Sequence, residues 1–151
     1  MNKALFPIAA GIAATLAIGV LSYLDNLTHT GLWLMAPFGA TAVLVFGLPD
    51  SPLAKAKNVI AGHFLTALIG VLFVEFIGVY PWSLALATGL AITTMLLTKT
   101  THPPAGANPM LIMLTGQSWP FLITPVLIGA SAIVCLGLVL NKVREAYLKT
   151  A

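Results

Sequence analysis

The chain has 151 residues, of which 59% are hydrophobic and only 7% are charged, whereas about a quarter of the residues of a soluble domain are charged. So few charged side chains cannot cover a water-facing surface, which predicts a single all-α integral membrane domain over residues 1–151 and excludes a separate soluble domain. The net charge of +3 comes without a basic cluster, which argues against a nucleic-acid partner and leaves the lipid bilayer as the surroundings of the chain.

Six apolar segments with short connections follow in chain order, and the first has the roughly 20 residues that a spanning helix requires. We interpret it as a retained helix rather than a cleaved signal peptide, because no small-x-small cleavage site closes it before Asp25. A basic tail is expected after the sixth segment. The predicted segments are 4–24, 32–48, 57–79, 82–98, 102–115 and 120–140.

Segments two and five carry the same motif of proline, glycine and a polar residue within apolar sequence, 67 positions apart. The same offset aligns Gly62 with Gly129 and Gly70 with Gly137. Because such residues suit an ordinary spanning helix poorly, the duplication predicts a pair of broken helices, which typically mark a substrate site near the bilayer midplane. The first copy is Pro37-Phe38-Gly39-Ala40-Thr41 and the second is Pro104-Ala105-Gly106-Ala107-Asn108.

The distribution of positive charge favours six crossings. Cytoplasmic loops collect Lys and Arg, and with six crossings and the N-terminus inside, every Lys and Arg of the chain lies on one side. If segments two and five dipped in and returned, Lys55, Lys57 and Lys99 would lie outside. Three crossings per half predict a 3+3 inverted repeat, residues 4–79 and 82–141, in a bacterial inner membrane with both termini cytoplasmic. The alternative is that the placement of seven basic residues is accidental.

Small residues recur at every fourth position in segments one, three and four. Residues four apart share a helix face, and small ones let backbones approach closely, so these stripes are predicted to be packing seams. They exceed what one small bundle needs, which predicts a homo-oligomer, either a dimer or a trimer. Cys135 is expected to pack as a small hydrophobe within its apolar run. The stripes are Gly11-Thr15-Gly19, Gly62-Thr66-Gly70 and Ala85-Gly89-Thr93.

The prolines predict where the short helix of the second broken segment begins. Because proline disfavours helix in the residue before it and suits a first turn, the chain from Lys99 to Pro103 should be extended and a helix should begin at Pro104. Two half-helix N-termini then face each other, and their free amides, with about half a positive charge each, attract an anion. The alternative is that these prolines and glycines are kinks with packing roles only. The predicted substrate-binding residues are Gly39, Ala40, Thr41, His102, Gly106, Ala107 and Asn108.

Other polar residues are weaker candidates, and Asn58, His63 and Lys99 form this second tier. His102 itself either donates to the anion and gates proton uptake, or caps backbone groups that the prolines leave free. His63 lies inside segment three, where an ionisable group is a functional candidate by default, but a neutral histidine bonded to a carbonyl fits as well. The sequence contains no metal-ligand set, paired carboxylates or nucleophile–base set, so no metal, cofactor or enzyme activity is expected.

The motifs also resemble those of a known family, the HPP family of small integral membrane proteins. The resemblance rests on His102-Pro103-Pro104 followed by Ala105-Gly106-Ala107, and on residues 37–47, 49–54 and 58–63, and it covers most of the chain. The family is usually described as having four spanning helices, which agrees with six segments only if the two broken ones were missed.

Chloroplast and cyanobacterial relatives in this family are associated with nitrite transport. The resemblance therefore implies a channel or secondary transporter for a small monovalent anion, with nitrite as the first candidate and the site between the two half-helix N-termini. The alternatives are a non-catalytic structural or assembly subunit of the membrane and, with less support, a membrane enzyme.

Overall fold

The computed structural model describes residues 5–28 and 33–150, and within these ranges the chain is helical, without a strand. The predicted starts of segments one and two, at residues 4 and 32, lie outside the described ranges. The elements are α1 at Leu5–Thr28, α2 at Pro37–Gly47, α3 at Ala56–Phe76, α4 at Pro81–Leu97, α5 made of a 3-10 turn at Pro103–Ala107 and an α-helix at Asn108–Thr115, and α6 at Ile128–Thr150, which a wide turn at Leu122–Leu127 precedes.

Within residues 5–28 and 33–150, three helices are long and apolar enough to cross a membrane by length and composition, namely Leu5–Leu27, Ala56–Phe76 and Leu122–Tyr147. Two shorter apolar helices, α2 and α4, accompany them. The chain is therefore an all-α membrane protein, as its composition predicted. We call α2 and α5 the half-helices, because each is too short to span a bilayer as a straight helix.

Proline and glycine set the limits of the short helices. Pro37 and Pro81 stand at the first helical position of α2 and α4, where the fixed φ of proline suits a helix and its missing amide hydrogen is not needed. Ser83 strengthens the start of α4, since its Oγ accepts a hydrogen bond from the Tyr80 amide at 2.8 Å. Gly116 ends α5 in the left-handed conformation, with a φ of 63°.

Three expectations about local structure were wrong. The helix expected from Pro104 begins one residue earlier as a 3-10 turn and becomes α-helical only at Asn108. The sixth helix does not end near residue 140, because α6 continues through the basic tail to Thr150. Cys135 is exposed on α6 and does not pack inside the chain.

The small-residue stripes differ from one another although their spacing is the same. The stripe on α3 is buried, with Thr66 fully enclosed, and it packs as predicted. Gly11, Gly19 and Gly89, on α1 and α4, are exposed, and a Cβ atom at any of them would meet nothing within 4 Å. The stripes on α1 and α4 are therefore not seams within this chain.

Gly62 and Gly129, which are 67 positions apart, leave the space that the first turns of the two half-helices occupy. A Cβ on Gly62 of α3 would lie 3.7 Å from the Cβ of Ala105, in the first turn of α5. A Cβ on Gly129 of α6 would overlap the ring of Phe38, in the first turn of α2. Ala105 also follows Phe38 by 67 positions, so the two contacts are equivalent under the sequence offset.

A second glycine pair repeats this arrangement further along the same helices. A Cβ on Gly70 would lie 3.1 Å from the Cβ of Ile112 in α5. A Cβ on Gly137 of α6 would overlap the side chain of Val45 in α2. Ile112 again follows Val45 by 67 positions. Each half-helix thus packs against the last long helix of the other half.

Several chain segments meet at one end of the molecule, which we call the basic end. The Arg144 guanidinium of α6 binds the Asp50 carboxylate at 2.8 Å, and its Cζ lies 5.5 Å from the centre of the Phe6 ring of α1. The connection from α2 to α3 therefore lies beside the start of α1 and the end of α6. Lys55, Lys57 and Lys142 belong to the same segments and are exposed.

Candidate functional site

Five polar side chains are fully buried where the two half-helices begin, and we call them the polar cluster. They come from four parts of the chain, namely α2, α3, the residue before α5, and α5 itself. Each has a relative exposure of 0%, which is unusual for polar groups unless they are hydrogen-bonded. The polar cluster consists of Thr41, His63, Thr66, His102 and Asn108.

The Thr41 hydroxyl lies between two imidazoles. Its Oγ1 is 2.8 Å from Nε2 of His63 and 2.9 Å from Nε2 of His102. The same oxygen is 3.1 Å from the backbone carbonyl oxygen of Pro37, one turn earlier in α2. A hydroxyl carries a single hydrogen and can accept two further hydrogen bonds, so Thr41 can donate either to the Pro37 carbonyl oxygen or to one imidazole, but not to both at once.

Asn108 holds the other side of the His63 ring. Its Nδ2 lies 3.0 Å from His63 Nδ1, 3.0 Å from the His63 carbonyl oxygen and 2.9 Å from Thr66 Oγ1. The carbonyl oxygen can only accept, so the amide nitrogen and not the amide oxygen must face it. The other amide atom, Asn108 Oδ1, is buried and has no hydrogen-bond partner.

The hydrogen-bond partners determine where the hydrogens lie on both rings. Because Asn108 Nδ2 only donates, His63 Nδ1 must accept, and the neutral ring then carries its hydrogen on Nε2 and donates it to Thr41. His102 Nδ1 is 2.8 Å from the Leu53 carbonyl oxygen and donates to it. Its Nε2, in the neutral ring, accepts the Thr41 hydroxyl hydrogen. The cluster is a one-directional chain of neutral hydrogen bonds from Asn108 to Leu53.

The segment that leads into α5 is held by α3. Asn58 Nδ2 donates to the carbonyl oxygens of Thr101, at 3.0 Å, and of Pro52, at 3.2 Å. Gly62 leaves the space that this segment needs, because a Cβ there would lie 2.9 Å from the Thr100 carbonyl oxygen and 3.0 Å from the Cβ of His102. Asn58 and Gly62 thus fix the position of His102 without touching its ring nitrogens.

Aromatic contacts hold the two imidazoles in place. The Phe38 ring packs edge-on against His63, with ring centroids 5.4 Å apart. His63 packs in turn against His102 at 5.0 Å. Since Phe38 also lies over Gly129, the orientation of His63 depends on packing from α6 as well as on hydrogen bonds.

The structure brings together some of the predicted site residues and not others. Thr41, His102 and Asn108 meet in the polar cluster, and His63, a second-tier candidate, connects them. Two of the predicted backbone positions, Gly39 and Ala40, are exposed, and the other two, Gly106 and Ala107, are half-buried.

The remaining candidates have other positions. Lys99 is exposed and has a positive φ of 54°, and Asn58 contacts backbone carbonyls rather than the imidazoles. Sequence reasoning missed Thr66 as a site residue, although it had been noted as part of a stripe four residues after Gly62. It also missed the Leu53 carbonyl, for which a sequence offers no signal. Within residues 5–28 and 33–150, no group of three His, Cys, Asp or Glu side chains is arranged to hold a metal ion.

The matches to known proteins are all to transmembrane proteins. The family model for the transmembrane region of HPP proteins matches residues 3–148. A transmembrane protein of Dictyostelium discoideum is 35% identical over 140 residues, which cover 87% of this chain and 49% of that protein. Another from the same organism is 34% identical over 134 residues, covering 83% of this chain and 43% of that protein. The chain thus spans about half the length of these curated relatives, and no solved structure matches it.

Proposed function

Since the chain belongs to the HPP family of transmembrane proteins, we propose that it moves a small monovalent anion, with nitrite as the first candidate, across the membrane through the polar cluster. The observation that carries this proposal is the burial of two histidines, two threonines and an asparagine in a chain with only 7% charged residues. Ionisable side chains within membrane segments are rare and commonly mark substrate or proton pathways.

The proposal includes a 3+3 inverted repeat. It is supported by the equivalent contacts of Gly62 with Ala105 and of Gly129 with Phe38, and by the second glycine pair further along α3 and α6. An inverted repeat places its substrate between the repeats, where broken helices expose backbone groups. Thr41 is equivalent to Asn108 under the 67-residue offset, and both belong to the polar cluster.

The donors of the polar cluster suit a small anion. The Thr41 hydroxyl, the His63 Nε2 hydrogen and the Asn108 amide hydrogens can each be offered to oxygen atoms of a ligand. In the present state these groups bind one another, and no member of the cluster is exposed. Passage therefore requires the half-helices to separate from α3 and α6, which favours alternation between closed and open states over a permanently open pore.

Uptake by vesicles containing the purified protein tests this function. We expect nitrite uptake above that of protein-free vesicles, loss of uptake in Thr41→Val and Asn108→Leu, and wild-type uptake in Thr115→Val. Thr115 is the matched control, because it is an exposed threonine of α5 whose hydroxyl binds only its own helix, at the Leu111 carbonyl oxygen.

The two parts of the proposal have separate outcomes. If the wild-type protein takes up none of nitrite, nitrate and formate, anion transport is wrong. If Thr41→Val and Asn108→Leu both transport at the wild-type rate, transport stands but the polar cluster is not its path.

We also propose that the chain forms a homo-oligomer in a bacterial inner membrane with the basic end in the cytoplasm. The exposed glycine faces of α1 and α4 support the oligomer, because small residues allow close helix contact in lipid. The lysines and arginine near the basic end support the orientation, because cytoplasmic loops collect such residues.

A further inference from the structure

The unpaired oxygen of Asn108 bears on what the site can bind. Oδ1 is fully buried and has no partner among the described residues, while Nδ2 has three possible acceptors around it. Buried acceptors are nearly always paired in folded proteins. A ligand that satisfies this oxygen must present a hydrogen-bond donor. Bare nitrite, nitrate and chloride have only acceptor sites, so none of them can do so.

The charge of the cluster leads to the same conclusion. Within the described ranges, no lysine or arginine belongs to it, and its hydrogen bonds can all form with both rings neutral. An unbalanced charge in such surroundings is costly. The elements packed against His102 carry Lys57, His63 and Glu75, and of these only His63 contacts it, at 5.0 Å between ring centroids.

The ionised groups of the neighbouring connections do not balance an anion in the cluster either. Asp50 is exposed and bound to Arg144. Lys55 and Lys99 are exposed as well. Among the described residues, no ionised side chain therefore lies in position to balance a monovalent anion in the polar cluster, and a proton that accompanies the anion would remove this imbalance.

Thr41 allows His102 to take up that proton without any heavy atom moving. When the ring is neutral, the Thr41 hydroxyl hydrogen is directed to His102 Nε2. When the ring is protonated, Nε2 donates to Thr41 at the same 2.9 Å, and the hydroxyl hydrogen turns to the Pro37 carbonyl oxygen at 3.1 Å.

His63 has no such alternative. A hydrogen on its Nδ1 would face the amide hydrogens of Asn108 at 3.0 Å, so protonation there would force Asn108 to move. Of the two neighbouring imidazoles, His102 can therefore accept a proton without rearrangement, whereas His63 cannot.

From these observations we infer that the substrate is a weak monobasic acid, carried as an anion together with one proton, and this inference rests on the proposed transport function. In one form the proton stays on the ligand and binds Asn108 Oδ1. In the other the ligand O–H bond breaks and an O–H bond forms at Thr41 Oγ1, while the former Thr41 hydroxyl hydrogen leaves that oxygen and forms the N–H bond at His102 Nε2, and the reverse transfers precede release. No electron is transferred, and the net charge carried is zero.

Nitrite and nitrate are a matched pair for the test, because they have the same charge and similar size but only nitrite is the base of a weak acid. Vesicles containing the wild-type protein and an internal pH indicator are given nitrite, formate, nitrate or chloride, with protein-free vesicles as the blank. We expect uptake of nitrite and formate with acidification of the interior, at more than about tenfold the rate for nitrate, since sites built around a substrate hydrogen bond reject analogues that lack it. The rates of nitrite and formate uptake should not change when a membrane potential is imposed.

Variants at Thr41 test the hydroxyl itself. Thr41→Ser keeps a rotating hydroxyl and should retain acidification with uptake, whereas Thr41→Val should lose both, and Thr115→Val should behave as wild type. Nitrate uptake as fast as nitrite uptake, or uptake driven by membrane potential, would overturn the inference and leave anion transport standing. Absence of uptake for all four anions would overturn both.

Discussion

Thr41 and Asn108 bind opposite nitrogens of one imidazole, with Thr41 Oγ1 2.8 Å from Nε2 of His63 and Asn108 Nδ2 3.0 Å from its Nδ1. The two residues occupy equivalent places in the duplicated motif, 67 positions apart. His63 therefore joins the two half-helices, and its ring connects the polar residue of one motif to that of the other.

Replacing His102 should change the pH dependence of transport more than its maximal rate. If each anion enters with a proton, wild-type uptake rises as the external pH is lowered from about pH 8 to about pH 5. In His102→Gln the side chain can still hydrogen-bond but cannot hold the proton, so the rise should flatten. Initial rates at low and saturating nitrite, measured across this range, provide the check. A His102→Gln profile as steep as that of wild type would exclude His102 as the proton site.

Gly62→Ala should destabilise the protein, because the added methyl group meets the Thr100 carbonyl oxygen at 2.9 Å and that backbone cannot easily retreat. Overpacking of this kind costs about 1–3 kcal/mol. Gly47→Ala is the control, since its Cβ meets nothing within 4 Å and Gly47 lies outside the proposed oligomer faces of α1 and α4, so its unfolding midpoint should stay close to that of wild type. Thermal unfolding in detergent should give Gly62→Ala the lower midpoint of the two variants. Equal midpoints would show that the segment leading into α5 is not held at Gly62.

Cysteine labelling should report the orientation of the chain. In a Cys135→Ala background, which removes an exposed thiol, single cysteines near the basic end should react with an impermeant reagent only from the cytoplasmic side. Cysteines at the predicted outer connections should react only from the outside. The inside positions are Lys55, Lys99 and Thr150, and the outside positions are Ser118 and His29, the last of which lies outside the described residues. A cysteine at position 55 that reacts with the outside set would contradict the six-crossing topology.

Native mass spectrometry should detect a dimer or trimer in mild detergent and in nanodiscs. If the exposed glycines of α1 form the contact, Gly11→Leu combined with Gly19→Leu should dissociate it, because leucine prevents the close helix approach that glycine permits. Ile8→Leu is the matched control, an exposed apolar exchange on the same helix. A wild-type protein that is monomeric in both media would rule the oligomer out.

The sequence was informative where residues stood out from apolar surroundings. Family membership was predicted from the His102-Pro103-Pro104 motif and is confirmed. Thr41, His102 and Asn108 were placed in one site, and the structure brings them together around His63. Nitrite as the substrate, the inverted repeat and the cytoplasmic orientation stay predictions.

What escaped prediction depends on tertiary position. The stripes containing Gly19 and Gly62 have the same spacing, yet one is exposed and the other buried, because spacing defines a helix face and does not say what covers it. His63 was identified only as a histidine inside a helix. That it bridges Thr41 and Asn108 follows from the rotation of α3 relative to both half-helices, which no local pattern encodes.

The glycine contacts have a consequence for biosynthesis. The surface that receives Phe38 and Val45 of α2 lies on α6, at Gly129 and Gly137. A ribosome therefore releases the first half-helix into the membrane long before its packing partner has been made. Until α6 arrives, α2 must wait in lipid or in the insertion machinery with Phe38 and Val45 unpacked, so the final docking of α2 is a late event of synthesis, whereas α5 meets α3 as soon as it is made.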